Sequence, residues 1–240
     1  MIIPLINFKR YRLFINVEPR YTTKKNFIPI GCDCHPAYIL KQLNIRTKSL
    51  PFDWLNINPV SGIKYITENI KTNFNKYIDD LTVNERGYIV ASAFPESEFM
   101  HEKDLMKNPE TKAKLRRRYE RFLKIFKEQE CNFIYNCPST FLTTEEEIIQ
   151  FQESIFDFIK LLKKDDELLI YIRFDENYEE NKINMERLEE FLRKIKKIKI
   201  AKFLREKKTY GIWGDERKYP VFLKKLDKSF RKVFPKIYFS

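Results

Sequence analysis

Glycine is scarce in this chain, 5 of 240 residues, and histidine scarcer still, with His35 and His101 alone. Two imidazoles and no C-x2-C pair leave no basis for a zinc centre, and no other metal or cofactor is expected. Of the four cysteines, Cys32 and Cys34 are too close to be natural disulfide partners. Cys131 and Cys137 would close a small loop across a stretch that reads as a strand. Reduced thiols are the expectation. No run of 18 apolar residues exists, which excludes a membrane-spanning helix. The first residues, MIIPLINFKRYRLF, meet Lys9 and Arg10 too early for a signal peptide, so a cytoplasmic protein is expected. Neither G-x-x-x-x-G-K-[ST] nor G-x-S-x-G occurs, and no Arg follows Cys34 or Cys137 by six positions. P-loop, nucleophile-elbow and cysteine-phosphatase chemistries are thereby set aside. The acidic pairs Asp79-Asp80 and Asp165-Asp166 lack the D-x-D spacing of a metal-dependent sugar transferase.

Apolar and aromatic residues are abundant, 43% and 15%, and no linker, repeat or low-complexity block interrupts them. The expected organisation is an N-terminal arm or edge hairpin over residues 1–26 and a single α/β domain over 27–240. Net charge is +12, from 46 Lys and Arg against 34 Asp and Glu. Such a field favours anionic partners at long range. Lysine nevertheless lies along nearly every expected helix, as a solvated face would have it.

From residue 131 onward, strand-like and helix-like stretches alternate. CNFIYN (131–136), ELLIYIRF (167–174) and KIKIAKFL (197–204) are separated by helical patterns over 144–163 and 184–197, and a last helical segment follows Gly211. Helices of that length imply crossovers, and continuously apolar strands imply a sheet covered on both faces. The predicted fold is α/β, with a mostly parallel, Rossmann-like sheet flanked by helices. Apolar steps of three and four also predict helices over 60–78 and 110–129, and 86–94 reads as a strand or hairpin.

Residues 28–54 concentrate the reactive side chains. A short apolar strand ends at Gly31, and Ala37, Ile39, Leu40 and Leu43 give the next element a helical face, with Pro36 in its first turn. Cys32, Asp33, Cys34 and His35 lie between. Helix N–H groups at that turn would stabilise a thiolate or bind an anion.

G-x-x-C-x-x-A (Gly31, Cys34, Ala37), Leu40, Arg46 and S-x-P-F-D-W (Ser49, Pro51, Phe52, Asp53, Trp54) resemble a domain family catalogued under papain-like cysteine peptidases, with members in bacteria and large DNA viruses. F-x-H (Phe99, His101) and R-x-x-R-F (Arg118, Arg121, Phe122) continue the resemblance, and Arg173 is its last matching position. It implies Cys34 as nucleophile and His101 as general base. Asp53, Asp104 or Glu102 would orient the imidazole, and backbone N–H groups at 34–37 would stabilise an oxyanion. His35 is a competing base. A papain-type enzyme sets its cysteine helix against an antiparallel barrel; the strand–helix alternation points instead to a parallel sheet.

Three function classes follow. The first is a cysteine-dependent hydrolase or acyl transferase acting on a peptide, glycan or other small molecule. The second is a Rossmann-like transferase. Its phosphate or sugar-nucleotide ligand would lie at the turn over residues 31–36, with Arg117, Arg118 or Arg121 contributing charge; Gly31, His35 and Trp54 are binding candidates as well. The third is a non-enzymatic basic binder, which ranks last because no basic and aromatic reading motif supports nucleic acid.

Overall fold

The central strands form where the sequence is continuously apolar. In the computed structural model, which describes residues 2–8 and 11–239 and side chains from 13 to 238, three short sheets are present. Residues 1, 9 and 10, part of the expected N-terminal arm, lie outside the described residues, as does 240.

The middle sheet is parallel and carries the site. It comprises β3 (Asn26–Pro29), β7 (Cys131–Pro138), β8 (Glu167–Asp175) and β9 (Ile198–Arg205), in that spatial order. Successive side chains point to opposite faces. Phe133, Tyr135, Leu168, Ile170 and Ile172 face one core, together with α2 (Gly62–Lys71), α3 (Pro109–Glu128), α4 (Glu145–Ile159) and α5 (Lys182–Arg193). Ile134, Leu169, Tyr171 and Phe203 face the other, with α1 (His35–Gln42) and α7 (Tyr219–Leu226). Helices therefore cover both faces. Capping starts two of them: Asn108 accepts from Glu110 N at α3, and Thr144 with Glu147 forms a capping box at α4.

The expected parallel sheet flanked by helices is present, but parallel pairing does not extend to the other strands. Six strands pair antiparallel in two other sheets: β1 (Ile2–Phe8), β2 (Tyr11–Thr22) and β10 (Arg231–Phe239) in one, β4 (Leu81–Val83), β5 (Ile89–Ala91) and β6 (Phe94–Glu98) in the other. The helix expected over 60–78 also stops early. After Lys71 the backbone turns left-handed at Asn73 (φ 49°) and Phe74 (φ 61°), although Phe74 and Ile78 stay buried. A short helix α6 (Lys207–Tyr210) and a 3-10 turn (216–218) precede α7.

Candidate active site

The turn after β3 is built by close packing. A Cβ at Gly31 would collide with Asn136 Oδ1 and Pro36 Cγ, so only glycine lets the chain pass between β7 and α1. Asn136, buried near the end of β7, fixes the turn: its Oδ1 accepts from Cys32 N (3.1 Å) and its Nδ2 donates to Asp33 Oδ1 (2.9 Å). The Asp33 carboxylate also accepts from His35 N (2.9 Å) and from Arg173 Nη1 (2.5 Å). Burial alone would raise the Asp33 carboxyl; Arg173 and these hydrogen bonds hold it below its usual range.

Cys34 stands at the N-cap of α1 and is half-buried, whereas Cys32, Cys131 and Cys137 are free and buried. Burial and then the Asp33 charge push its thiol up to about 11, against weaker opposing pulls from Arg173 and Arg205. No hydrogen bond joins this thiol to either histidine among the described residues. His35 is committed elsewhere. Its Nδ1 lies 2.7 Å from Tyr171 Oη and its Nε2 3.2 Å from the Trp213 carbonyl. A carbonyl only accepts, so Nε2 carries the proton and Nδ1 accepts from the tyrosine. Burial, then Arg173, push this imidazole down to about 3, which keeps it neutral. Trp213 in turn stacks on Tyr38 of α1, centroids 3.8 Å apart. Of the backbone donors expected at 34–37, that of His35 is taken by Asp33, and Pro36 has none.

A second group gathers around Asp53. Its Oδ2 accepts from Leu50 N (2.9 Å), Arg46 Nε (3.0 Å) and Arg46 Nη2, while its Oδ1 makes no hydrogen bond among the described residues. Burial raises this carboxyl and Arg46 only partly offsets it. Arg46 also lies over the Trp54 ring at 5.5 Å, and the exposed His101 meets the same ring at 5.8 Å. Phe52 fills an aromatic cluster with Tyr65, Phe74, Tyr77 and Phe122. The arginines of α3 divide. Arg121 Nη1 donates to the Ser49 carbonyl (2.7 Å), Arg118 Nη1 to Glu102 Oε1 (3.2 Å), and Arg117 is exposed. Asp104 accepts from Thr111 and Asn108 at the start of α3.

The two groups share a hydrogen-bonded seam. Ile57 N donates to the Cys32 carbonyl (2.7 Å), and Asn56 pairs with Glu98 through both backbones and through its side-chain amide (2.8 Å). Cys34 lies two residues beyond that seam on one side, His101 three on the other.

Beside the seam, a cavity of about 520 Å³ opens at the C-terminal ends of β7, β8 and β9. Cys32, Asp33, Asn56, Asn84, Arg86 and Glu98 line it, together with Arg173, Asp175 and Arg205 at the strand ends. A crevice outside the carboxyl ends of parallel strands is where open α/β sheets bind ligands. Asp175 and Arg205 escaped the sequence reading, although a charged residue closing an apolar parallel strand was the available signal. Among the described residues, no three His, Cys, Asp or Glu side chains are grouped to hold a metal ion, and no helix is long and apolar enough to cross a membrane.

A family model described as "Putative papain-like cysteine peptidase" matches residues 25–149, just over half of the chain. That span holds Gly31, Cys34, Asp53, Trp54 and His101 and ends before Arg173. An uncharacterized protein of Acanthamoeba polyphaga mimivirus is 35% identical over 51 residues, 21% of this chain and 23% of that protein. The chain thus spans about a quarter of that relative's length. No solved structure matches.

Proposed function

From the chain's membership of the family that this model describes as "Putative papain-like cysteine peptidase", we propose a cysteine-dependent hydrolase with Cys34 as nucleophile. The observation that carries the reading is the position of Cys34. It is the one thiol of four that is not buried, and it sits at a helix N-terminus next in sequence to Asp33, which lines the polar cleft at the sheet's C-terminal edge. Its Sγ attacks the acyl carbon of the substrate and the S–C bond forms. The thiol proton passes to the His101 imidazole and on to the departing amine or alcohol, and water then releases the acid from the thioester. Because the thiol is pushed up and no hydrogen bond joins it to His101 among the described residues, this step has His101 brought to Cys34 when substrate binds. Asp53 acts at a distance, by holding Arg46 and through it the Trp54 ring against which His101 rests.

A second reading, a Rossmann-like transferase with its ligand in the same crevice, draws on the parallel strands and on the raised thiol. Turnover of a capped-peptide p-nitrophenyl ester separates the two. The hydrolase reading expects an acyl adduct on Cys34 by mass spectrometry, loss of turnover in Cys34→Ala and slowed acylation in His101→Ala. Turnover that survives Cys34→Ala overturns it.

A further inference from the structure

Arg173 is almost wholly buried at the floor of the cleft, and only one of its nitrogens is bonded among the described residues. Nη1 holds Asp33; among the described residues the other edge of the guanidinium, Nε and Nη2, has no hydrogen-bond acceptor, and Nε is a buried donor without a partner. The same edge is the one by which Arg205 clamps Asp175 and Arg46 clamps Asp53. Asp175 Oδ1 stands 4.0 Å from Arg173 Nε, too far to bond; its carboxylate accepts from Arg205 and keeps lone pairs for a further donor. An unpaired buried donor is costly, so its retention beside a cleft calls for an acceptor.

The charge around it selects which acceptor. Asp33, Asp175, Glu96 and Glu98 line the cleft against Arg86, Arg173 and Arg205, and no lysine joins them. Each guanidinium is already paired: Arg173 with Asp33, Arg205 with Asp175, Arg86 with Glu98. Although the whole chain carries +12, this cleft has one carboxylate in excess. A phosphate placed on Arg173 would sit against Asp175 and be repelled. An uncharged group that accepts from Arg173 and donates to Asp175 meets no such penalty. We propose that the open edge of Arg173, with Asp175 beside it, recognises a neutral substrate group carrying both an acceptor and a donor, a carboxamide or a hydroxyl. This rests on the cleft being the substrate site and narrows the substrate class to ligands that are not phosphorylated at this point.

The test follows the arginine Nε–H signals by ¹H–¹⁵N NMR, with the Arg173 signal identified by its loss in Arg173→Lys. Three probes are titrated: N-acetylglutamine methylamide, cellobiose and inorganic pyrophosphate. The expected result is a shift of the Arg173 signal with the amide or with the disaccharide, which tells the two sources apart, and none with pyrophosphate. Asp175→Asn should weaken the neutral probe about tenfold, the scale of a lost hydrogen bond to a charged group. A response to pyrophosphate alone, or to none of the three, overturns the proposal. If Arg173→Lys does not fold, the Asp175→Asn comparison still decides. Running the titration in Cys34→Ala protein as well separates failure of recognition from failure of cysteine chemistry.

Discussion

Alkylation of Cys34 by iodoacetamide is expected to be slow at neutral pH and to keep rising far into the alkaline range. With the thiol pushed up to about 11, about 0.1% is thiolate at pH 8, against about a quarter of an ordinary thiol titrating near 8.5. The thiolate deficit is about 240-fold. A more basic thiolate is also a better nucleophile, and a Brønsted slope of about 0.45 over about 2.5 units returns roughly 13-fold. The net expectation at pH 8 is alkylation about 20-fold slower than a free thiol, with the gap nearly closed by pH 10. Because the other three thiols are buried, peptide mass spectrometry after short exposures at pH 6 to 10 isolates this site. A rate that levels off at or below pH 8 would refute the reasoning. It would mean that a cation reaches the resting thiol. The same profile in Asp33→Asn should move toward lower pH, since Asp33 is the charge that raises Cys34 most.

Two further outcomes concern stability. Arg46→Ala leaves the fully buried Asp53 without its counter-charge and should cost about 3–5 kcal/mol in urea unfolding at pH 7. The deficit should shrink as pH falls and the orphaned carboxyl takes up a proton; an unchanged midpoint would show that the PFDW loop does not depend on this pair. Asp33 has a folded-state pKa below its ordinary value, so its stabilisation is complete above about pH 4 and is lost as pH falls through the folded value. Asp33→Asn should therefore flatten the acid limb of stability below about pH 4, and equal losses in both proteins would contradict that.

The strand–turn–helix around Cys34 was legible because its determinants are local: an apolar run, Gly31 where two elements pass closely, and Pro36 in a first helical turn. Apolar periodicity misled at 72–78. Phe74 and Ile78 keep the helical spacing because they are buried, but a left-handed Asn73 and Phe74 deliver them there. Periodicity reports which side chains are covered, whatever the backbone does. β10 carried no local mark, since RKVFPKIYF finds its partner in β2 some 200 residues away. The α3 arginines looked free for a ligand for the same reason. Glu102 and the Ser49 carbonyl, which occupy Arg118 and Arg121, lie 16 and 72 positions distant. Conversely the sequence marks Arg173 only as the last matching position of the family resemblance, and its half-used guanidinium emerged only with Asp33, Asp175 and the cleft assembled around it.

The chain's two tryptophans fall one on each side of the hydrogen-bonded seam. Trp54 rests between Arg46 and His101, and Trp213 stacks on Tyr38, one helical turn from Cys34. The molecule therefore carries its own pair of optical reporters. In Trp54→Phe the remaining emission follows the cysteine side, and in Trp213→Phe it follows the histidine side. Stopped-flow fluorescence of the two variants would time each half separately and show whether they move together when a ligand enters.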